Sequence, residues 1–303
     1  MKVVVTGITG FVGQNLSNYF SNEKVVGVSR TKSEGNVAYD EVPQALHDAD
    51  AFVHLAGKAH DLKKTSSDQE YYTVNRDLTI QLFNQFLESN CPVFIYMSSV
   101  KAVADVVEES ELTEDAIANP VTAYGKSKKE AEEYILKQTI PSGKYVYILR
   151  PCMIHGPLNK GNLNLLYQFV AKGIPYPLAS FVNNRSFLSV DNLCFIIDQL
   201  ICKKPAIGVY QVADDGGAST NELVSIIGKG MQKKVKLWRL PQGFIKFIAR
   251  IGDLLHLPLN TERLTKLTEN YVVSNRKIKE ALQIELPLTL EEGLLKTIQS
   301  FKG

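Results

Sequence analysis

Residues 3–13 read VVVTGITGFVG, and QNLSNYFS follows at 14–21. Three β-branched apolar residues in a row suit a strand buried on both faces. Gly7, Gly10 and Gly13 then interrupt the run in a TGxxGxxG spacing, after which apolar residues return at helical intervals. The order is strand, tight turn, helix, with the strand expected over residues 2–6 and the helix over about 10–21. Gly7 suits the turn, Gly10 lets backbone approach a ligand, and Gly13 lets the helix lie close to the strand. The helix start offers free N–H groups and the positive end of its dipole to an anion. Three glycines alone carry little weight, but directly behind an initial VVV strand they point to the pyrophosphate of a dinucleotide.

Outward from that stretch, short apolar runs alternate with helical patterns, as parallel βαβ units do. Strands are expected at 24–29, near 36–39, and at 51–55, 93–97 and 145–149. Helices are expected over about 74–89 and 123–138, the second entered from a long polar loop at 104–120. This alternation predicts an α/β fold, a Rossmann-type doubly wound parallel sheet with ligands outside the carboxyl ends of its strands. After Pro151 the texture changes: HGPLNKGN and KGIPYPL bring Pro and Gly, and helices of another character follow. We therefore expect a dinucleotide-binding domain over 1–156, with 182–214 interleaved through a returning strand at 209–214. A smaller substrate region is expected over 157–181 and 215–303.

The 303 residues are 45% hydrophobic and 22% charged, enough for one large domain or two intimate ones. Lys and Arg number 34 against 32 Asp and Glu, and no basic arm appears, so a nucleic-acid partner is not expected. Cys91, Cys152, Cys194 and Cys202 show no CxxC spacing, so neither a metal site nor a disulfide framework is expected. No stretch approaches the roughly 20 apolar residues of a membrane span, and a cytoplasmic location is expected. One segment, LPQGFIKFIARIGDLLHLPL at 240–259, is amphipathic. It reads first as a helix packed on the protein's own core, and second as one resting on a membrane surface.

The end of the second strand distinguishes NAD from NADP. An acidic residue there binds the ribose hydroxyls and repels a 2′-phosphate. Here the strand reads VVGVSR, placing Ser29 and Arg30 with no carboxylate. A hydroxyl and a guanidinium suit the phosphate, so NADP is favoured over NAD.

The reacting group is sought at the end of the fifth strand, FIYMSSVKAVAD, where Ser98 and Ser99 stand. Downstream, TAYGKSK sets Lys128 four residues after Tyr124, on one face of a helix. Ser99, Tyr124 and Lys128 form a proton-transfer set for carbinol–carbonyl chemistry. Tyr gives or takes the proton of the substrate oxygen, Ser hydrogen-bonds that oxygen, and Lys supplies positive charge. A free phenol titrates near pH ~10, so moving it to ~7 needs about 4 kcal/mol of preferential anion stabilisation. Two neighbouring positive charges in a desolvated site, the ammonium and an oxidised nicotinamide, suit that task.

With these residues on the page, the chain resembles the extended short-chain dehydrogenase/reductase family, specifically its nucleotide-sugar epimerases, dehydratases and reductases. TGITGFVG resembles the family's glycine motif, AFVHLAG its fourth strand, YYTVNRDLT its asparagine motif and AYGKSK its YxxxK. LRPCMIHGP, RSFLSVDNL and LPLTLEEGLLKTI extend the likeness almost to the end. The resemblance implies Ser99, Tyr124 and Lys128 as catalytic residues. It implies a cofactor lying along Gly7, Gly10, Phe11, Val12 and Gly13, then along Leu55, Ala56 and Gly57, with Asn75 in support. Arg185 is implied on the substrate's diphosphate. Lys160 and Asn162 resemble substrate-loop positions, and His60 falls over the substrate pocket, although a surface turn and a surface histidine are their plain alternatives. A homodimer paired through the helices after the fourth and fifth strands is a further implication.

Departures narrow the reaction. The family's dehydratases carry Asp-Glu where this chain has Val100 and Lys101, so the acid and base for eliminating water are missing. Val103 and Ala104 replace the Tyr and Gly of a VYG element, and Met153 and His155 replace other family residues. Lys101 and His155 are expected to shape the pocket. The expected activity is C4 redox chemistry on a UDP-sugar, as a 4-epimerase first. A 4-keto-6-deoxyhexosamine 4-reductase is the second reading, and a non-catalytic dinucleotide sensor a remote third.

Overall fold

A computed structural model describes residues 1–21, 24–30, 35–59, 67–107, 109–159, 162–255 and 259–301. The first half runs β1 (Val3–Thr6), α1 (Phe11–Phe20), β2 (Val25–Ser29), β3 (Asn36–Ala38), α2 (Val42–Ala45), β4 (Ala51–His54), α3 (Asp68–Tyr72), α4 (Leu78–Glu88), β5 (Val93–Met97), α5 (Ala123–Leu136) and β6 (Tyr145–Pro151). The second half runs β7 (Met153–His155), α6 (Asn162–Ala171), β8 (Phe187–Ser189), α7 (Val190–Lys203), β9 (Gly208–Val212), α8 (Thr220–Gly230), α9 (Gln242–Leu255), α10 (Thr261–Thr268), α11 (Arg276–Leu282) and α12 (Leu290–Ser300).

Seven strands make one parallel sheet in the order β3-β2-β1-β4-β5-β6-β9. The expected doubly wound α/β sheet is present, and β9 does return beside β6. Every residue of β1, β4 and β5 is buried, which is why these strands read as unbroken apolar runs. One apolar layer packs Leu16 and Phe20 of α1 with α7 and α11 on one face of the sheet. A second packs Leu82, Phe83 and Phe86 of α4 with Ala131 and Ile135 of α5 on the other. A third core, outside the sheet, gathers α6, α8, α9, α10 and α12 with Phe181 and Phe187.

From β1 the chain steps outward to β2 and β3, then restarts at β4 and steps the other way. The reversal leaves a crevice at the carboxyl ends of β1 and β4, where such sheets take ligands. The helix expected to begin near residue 74 begins earlier: α3 starts at Asp68, and a single π-type turn, Thr73–Asp77, joins it to α4. That widened turn carries Asn75 inward, and local widening of this kind has no periodicity signature in a sequence.

The amphipathic segment packs on the protein's own core, as its first reading has it, but with part of its apolar surface left uncovered. α9 packs through Ile245, Ala249 and Gly252, with Ile248 half-buried, while Phe244, Phe247, Ile251, Leu254 and Leu255 remain exposed. No helix among the described residues is long and apolar enough to cross a membrane.

Candidate active site

Gly7 ends β1 with φ +70°, a left-handed conformation, and a Cβ there would lie 2.8 Å from the Ala56 nitrogen. The Gly10 N–H donates to the Gly7 carbonyl at 2.9 Å. A Cβ on Gly13 would overlap the Gly7 carbonyl oxygen, so only glycine lets α1 start this close to the turn. Gly10 caps α1 without a side-chain hydrogen bond, leaving the first amides of the helix open. These positions form a cradle that side chains would fill, which fits a dinucleotide pyrophosphate. Phe11 and Val12 open α1, half-buried against the sheet core.

A hydrogen-bonded line joins the strand ends beside this cradle. The Ala56 N–H donates to Thr6 Oγ1 at 3.1 Å, and Thr6 meets His54 Nδ1 at 2.7 Å. His54 Nε2 meets Thr79 Oγ1 at 2.9 Å, and Thr79 donates to the Asn75 carbonyl at 2.8 Å. With the Thr79 proton committed to Asn75, Nε2 is the donor to Thr79 and Nδ1 accepts from Thr6. Burial pushes the His54 imidazole down to about 3, with the Lys128 charge adding to the effect, so the ring is neutral. Leu55, Ala56 and Gly57 follow directly. A Cβ on Gly57 would stand 3.1 Å from both Asn75 Oδ1 and Lys128 Nζ. Asn75 accepts from the Lys58 N–H at 2.7 Å and donates to the Lys58 carbonyl at 3.0 Å and to Ser127 Oγ at 3.1 Å.

α5 begins at Thr122, whose hydroxyl accepts from the Gly125 N–H at 3.1 Å. A Cβ on Gly125 would overlap the Lys101 carbonyl oxygen and lie 2.8 Å from Pro120 Cβ. This close approach seats Tyr124 against the turn that starts at Ser99. Ser99 also accepts from the Lys101 N–H at 3.2 Å. The Tyr71 ring meets Tyr124 edge-on at 6.3 Å. Burial raises the phenol above its usual range, and the neighbouring Ser99 hydroxyl opposes that rise.

Lys128, one turn on, is 4% exposed. Its ammonium donates to the Met97 carbonyl at 2.8 Å and lies 4.8 Å from the centre of the Tyr96 ring. Burial pushes it down to about 8, against an upward pull from Glu132. The lysine therefore faces Gly57 and the strand end.

The remaining sequence candidates divide. Lys101 Nζ donates to the Asp105 carbonyl at 2.8 Å and sits 4.2 Å over the Tyr271 ring. Arg185 hydrogen-bonds the Lys266 carbonyl and lies 3.7 Å from Glu269. Burial lowers the Lys101 amine, Glu269 and Asp105 counter it, and Arg185 and Lys266 add to the lowering, so these groups share one polar cluster. Ser29 ends β2 and Arg30 stands exposed beyond it. Burial raises the nearby Tyr39 phenol, and Arg30 opposes it. His60 and Lys160 lie outside the described residues. Asn162 is the first residue of α6. His155 is buried, with Nδ1 at 2.9 Å from Thr297 Oγ1 and Nε2 at 3.6 Å from Asp214.

Sequence reading missed the polar group beneath the site. Arg150 reaches Glu132 with Nη2 at 2.5 Å and Nε at 3.1 Å, and Ser98 donates to the same carboxylate. Glu132 lies one turn beyond Lys128, so a third polar residue at that spacing was the available signal. His54 and Tyr71 had none.

Residues 3–213 match the model of the NAD dependent epimerase/dehydratase family. The chain belongs to that family. It is an enzyme of the NAD(P)-dependent nucleotide-sugar epimerase or reductase type. A UDP-glucose 4-epimerase of Vibrio cholerae is 33% identical over 99% of this chain and 95% of its own length. A UDP-2-acetamido-2,6-beta-L-arabino-hexul-4-ose reductase of Pseudomonas aeruginosa is 28% identical over 61% of this chain and 44% of its own. In fold the chain resembles the UDP-glucose 4-epimerase of Thermotoga maritima solved with UDP-glucose, with TM-score 0.74 and 20% identity over 100% of this chain and 99% of that one.

Proposed function

We propose that this family member performs hydride chemistry at C4 of a UDP-sugar, with Tyr124 as the acid–base group, and that it works as a 4-epimerase. The observation that carries the reading is the close approach of α5 at Gly125 to the turn that starts at Ser99, which seats Tyr124 at the carboxyl end of β5 with Lys128 one turn away. Tyr124 Oη takes the O4 proton as the C4 hydride leaves, and returns it to O4 after the ketosugar has turned its other face. Ser99 hydrogen-bonds O4 and keeps it against the phenol. A bound oxidised nicotinamide dinucleotide would supply the hydride acceptor and the positive charge of its ring. Burial raises the phenol in the free enzyme, so taking the O4 proton requires a tyrosinate favoured by the Lys128 charge one turn away and by the positive charge of an oxidised nicotinamide.

The residues that would hold the cofactor are Gly7, Gly10, Phe11, Val12 and Gly13 at the pyrophosphate and Leu55, Ala56, Gly57 and Asn75 beyond it. Ser29 and Arg30 support a preference for NADP, because no carboxylate at that strand end repels a 2′-phosphate. Residues 1–156 with 182–214 would form this half of the enzyme, and 157–181 with 215–303 the sugar half. There Arg185 and Lys101 would meet the diphosphate, with His60, Lys160 and Asn162 nearer the sugar.

The same Ser29 and Arg30 favour one second reading, an NADPH-dependent 4-reductase acting on a UDP-4-keto-6-deoxyhexosamine. Incubation with UDP-glucose, UDP-N-acetylglucosamine or the ketosugar, with and without NADPH, separates the two. Interconversion of 4-epimers without net cofactor turnover is the expected result. Stoichiometric NADPH oxidation on the ketosugar instead would establish the reductase.

A further inference from the structure

α9 carries an apolar arc that extends beyond its core contact. Ile245, Ala249 and Gly252 form the inward stripe, joined by half-buried Ile248. Phe244, Phe247, Ile251, Leu254 and Leu255 recur at three- and four-residue spacing and form a second stripe alongside it. That second stripe faces solvent, with Phe247 61% and Leu254 78% exposed, and Trp238 ahead of the helix is 52% exposed. Isolated exposed apolar residues are ordinary, but six large ones on one helix and its lead-in form a patch that needs a partner.

The charge around the patch identifies the kind of partner. Residues 233–255 contain four lysines and two arginines against one acid, Asp253. Asp253 is used internally, accepting from the Thr261 N–H at 3.0 Å and from its hydroxyl at 2.5 Å at the start of α10. Lys246 and Arg250 border the apolar stripe, Lys234, Lys236 and Arg239 precede it, and none has an ion pair among the described residues. Apolar side chains rimmed by unpaired cations complement the headgroups and acyl boundary of an anionic bilayer. A second copy of the chain would set this positive rim against itself.

We propose that the exposed face of α9, with Trp238, docks the enzyme peripherally on a membrane surface containing anionic phospholipid. The seat is rigid: α9 is anchored in the third core, and α10, fixed to it through Asp253, carries Lys266 and leads to Glu269, the two partners of Arg185. Docking would thus hold the Arg185 cluster at a fixed height from the bilayer. This surface lies outside the Tyr124 cluster and stands or falls independently of the proposed reaction.

Flotation of the full chain with vesicles of phosphatidylcholine alone, or of phosphatidylcholine mixed with phosphatidylglycerol, tests it. The protein should float with the mixed vesicles only, and less at high salt. A Phe247→Ser/Leu254→Ser variant should lose bound fraction by at least about tenfold. Lys246→Glu/Arg250→Glu should abolish the preference for anionic vesicles. Both variants change exposed residues and should keep the wild-type thermal midpoint. Failure of the wild type to float with anionic vesicles overturns the proposal. So does conversion of a dimer to a monomer by Phe247→Ser/Leu254→Ser, which would make the patch a self-association surface.

Discussion

The Lys128 ammonium donates to the Met97 carbonyl at 2.8 Å, tying the helix of the reacting tyrosine to the end of the central strand β5. Burial brings this amine down to about 8. The charge is therefore present below that pH and lost above it. We expect kcat/KM to fall as pH rises through about 8, where the Lys128 charge that favours the tyrosinate is lost. Lys128→Met should lower kcat by roughly 10²-fold or more and remove that alkaline limb. A pH–rate profile of both proteins checks the assignment.

Gly125 is where α5 meets the Ser99 turn. Gly125→Ala forces the added methyl onto the Lys101 carbonyl and Pro120, and should cost about 1–3 kcal/mol of stability. Moving Tyr124 relative to Ser99 should also lower kcat by about 10²-fold. A drop in kcat at temperatures well below the thermal midpoint separates the second effect from the first.

His54 makes stability fall in acid. Its imidazole is held at about 3 in the fold against 6.5 when free, so the unfolded chain binds the extra proton between those values. Its contribution is complete above pH 6.5 and is lost as pH falls towards 3. Thermal midpoints of the wild type should decline across that window more steeply than those of His54→Gln, which has no proton to gain. Equal slopes would show that His54 is not the group responsible.

Glu132 and Arg150 form a buried pair, 1% and 8% exposed, beneath Ser98 and Lys128. Glu132→Ala leaves a guanidinium unpaired in the interior and should destabilise the protein by about 3–5 kcal/mol. Glu132→Ala/Arg150→Met should recover most of that loss. Urea unfolding of the two variants measures the difference.

The sheet and the Tyr124 cluster were legible because their signals are local. A buried parallel strand must be apolar throughout, a turn this close to a helix start must be glycine, and Tyr124 and Lys128 share a helical face. What escaped depends on contacts across the sheet. His54 reads as the end of an apolar strand until Thr6 and Thr79 are seen on either side of it. Glu132 acquires meaning only from Arg150, eighteen residues away on β6. The solvent-facing half of α9 was hidden for the opposite reason: periodicity shows that a face is apolar, but not whether anything covers it.

The central claim is that Tyr124 moves the O4 proton while hydride leaves and returns to C4. The most direct measurement follows a UDP-hexose deuterated at C4, incubated with the enzyme and its cofactor and read by NMR. The account predicts a 4-epimer that retains deuterium at C4, and a Tyr124→Phe variant slowed by about 10²–10⁴-fold. Exchange of that deuterium with solvent, or undiminished turnover by Tyr124→Phe, would contradict it.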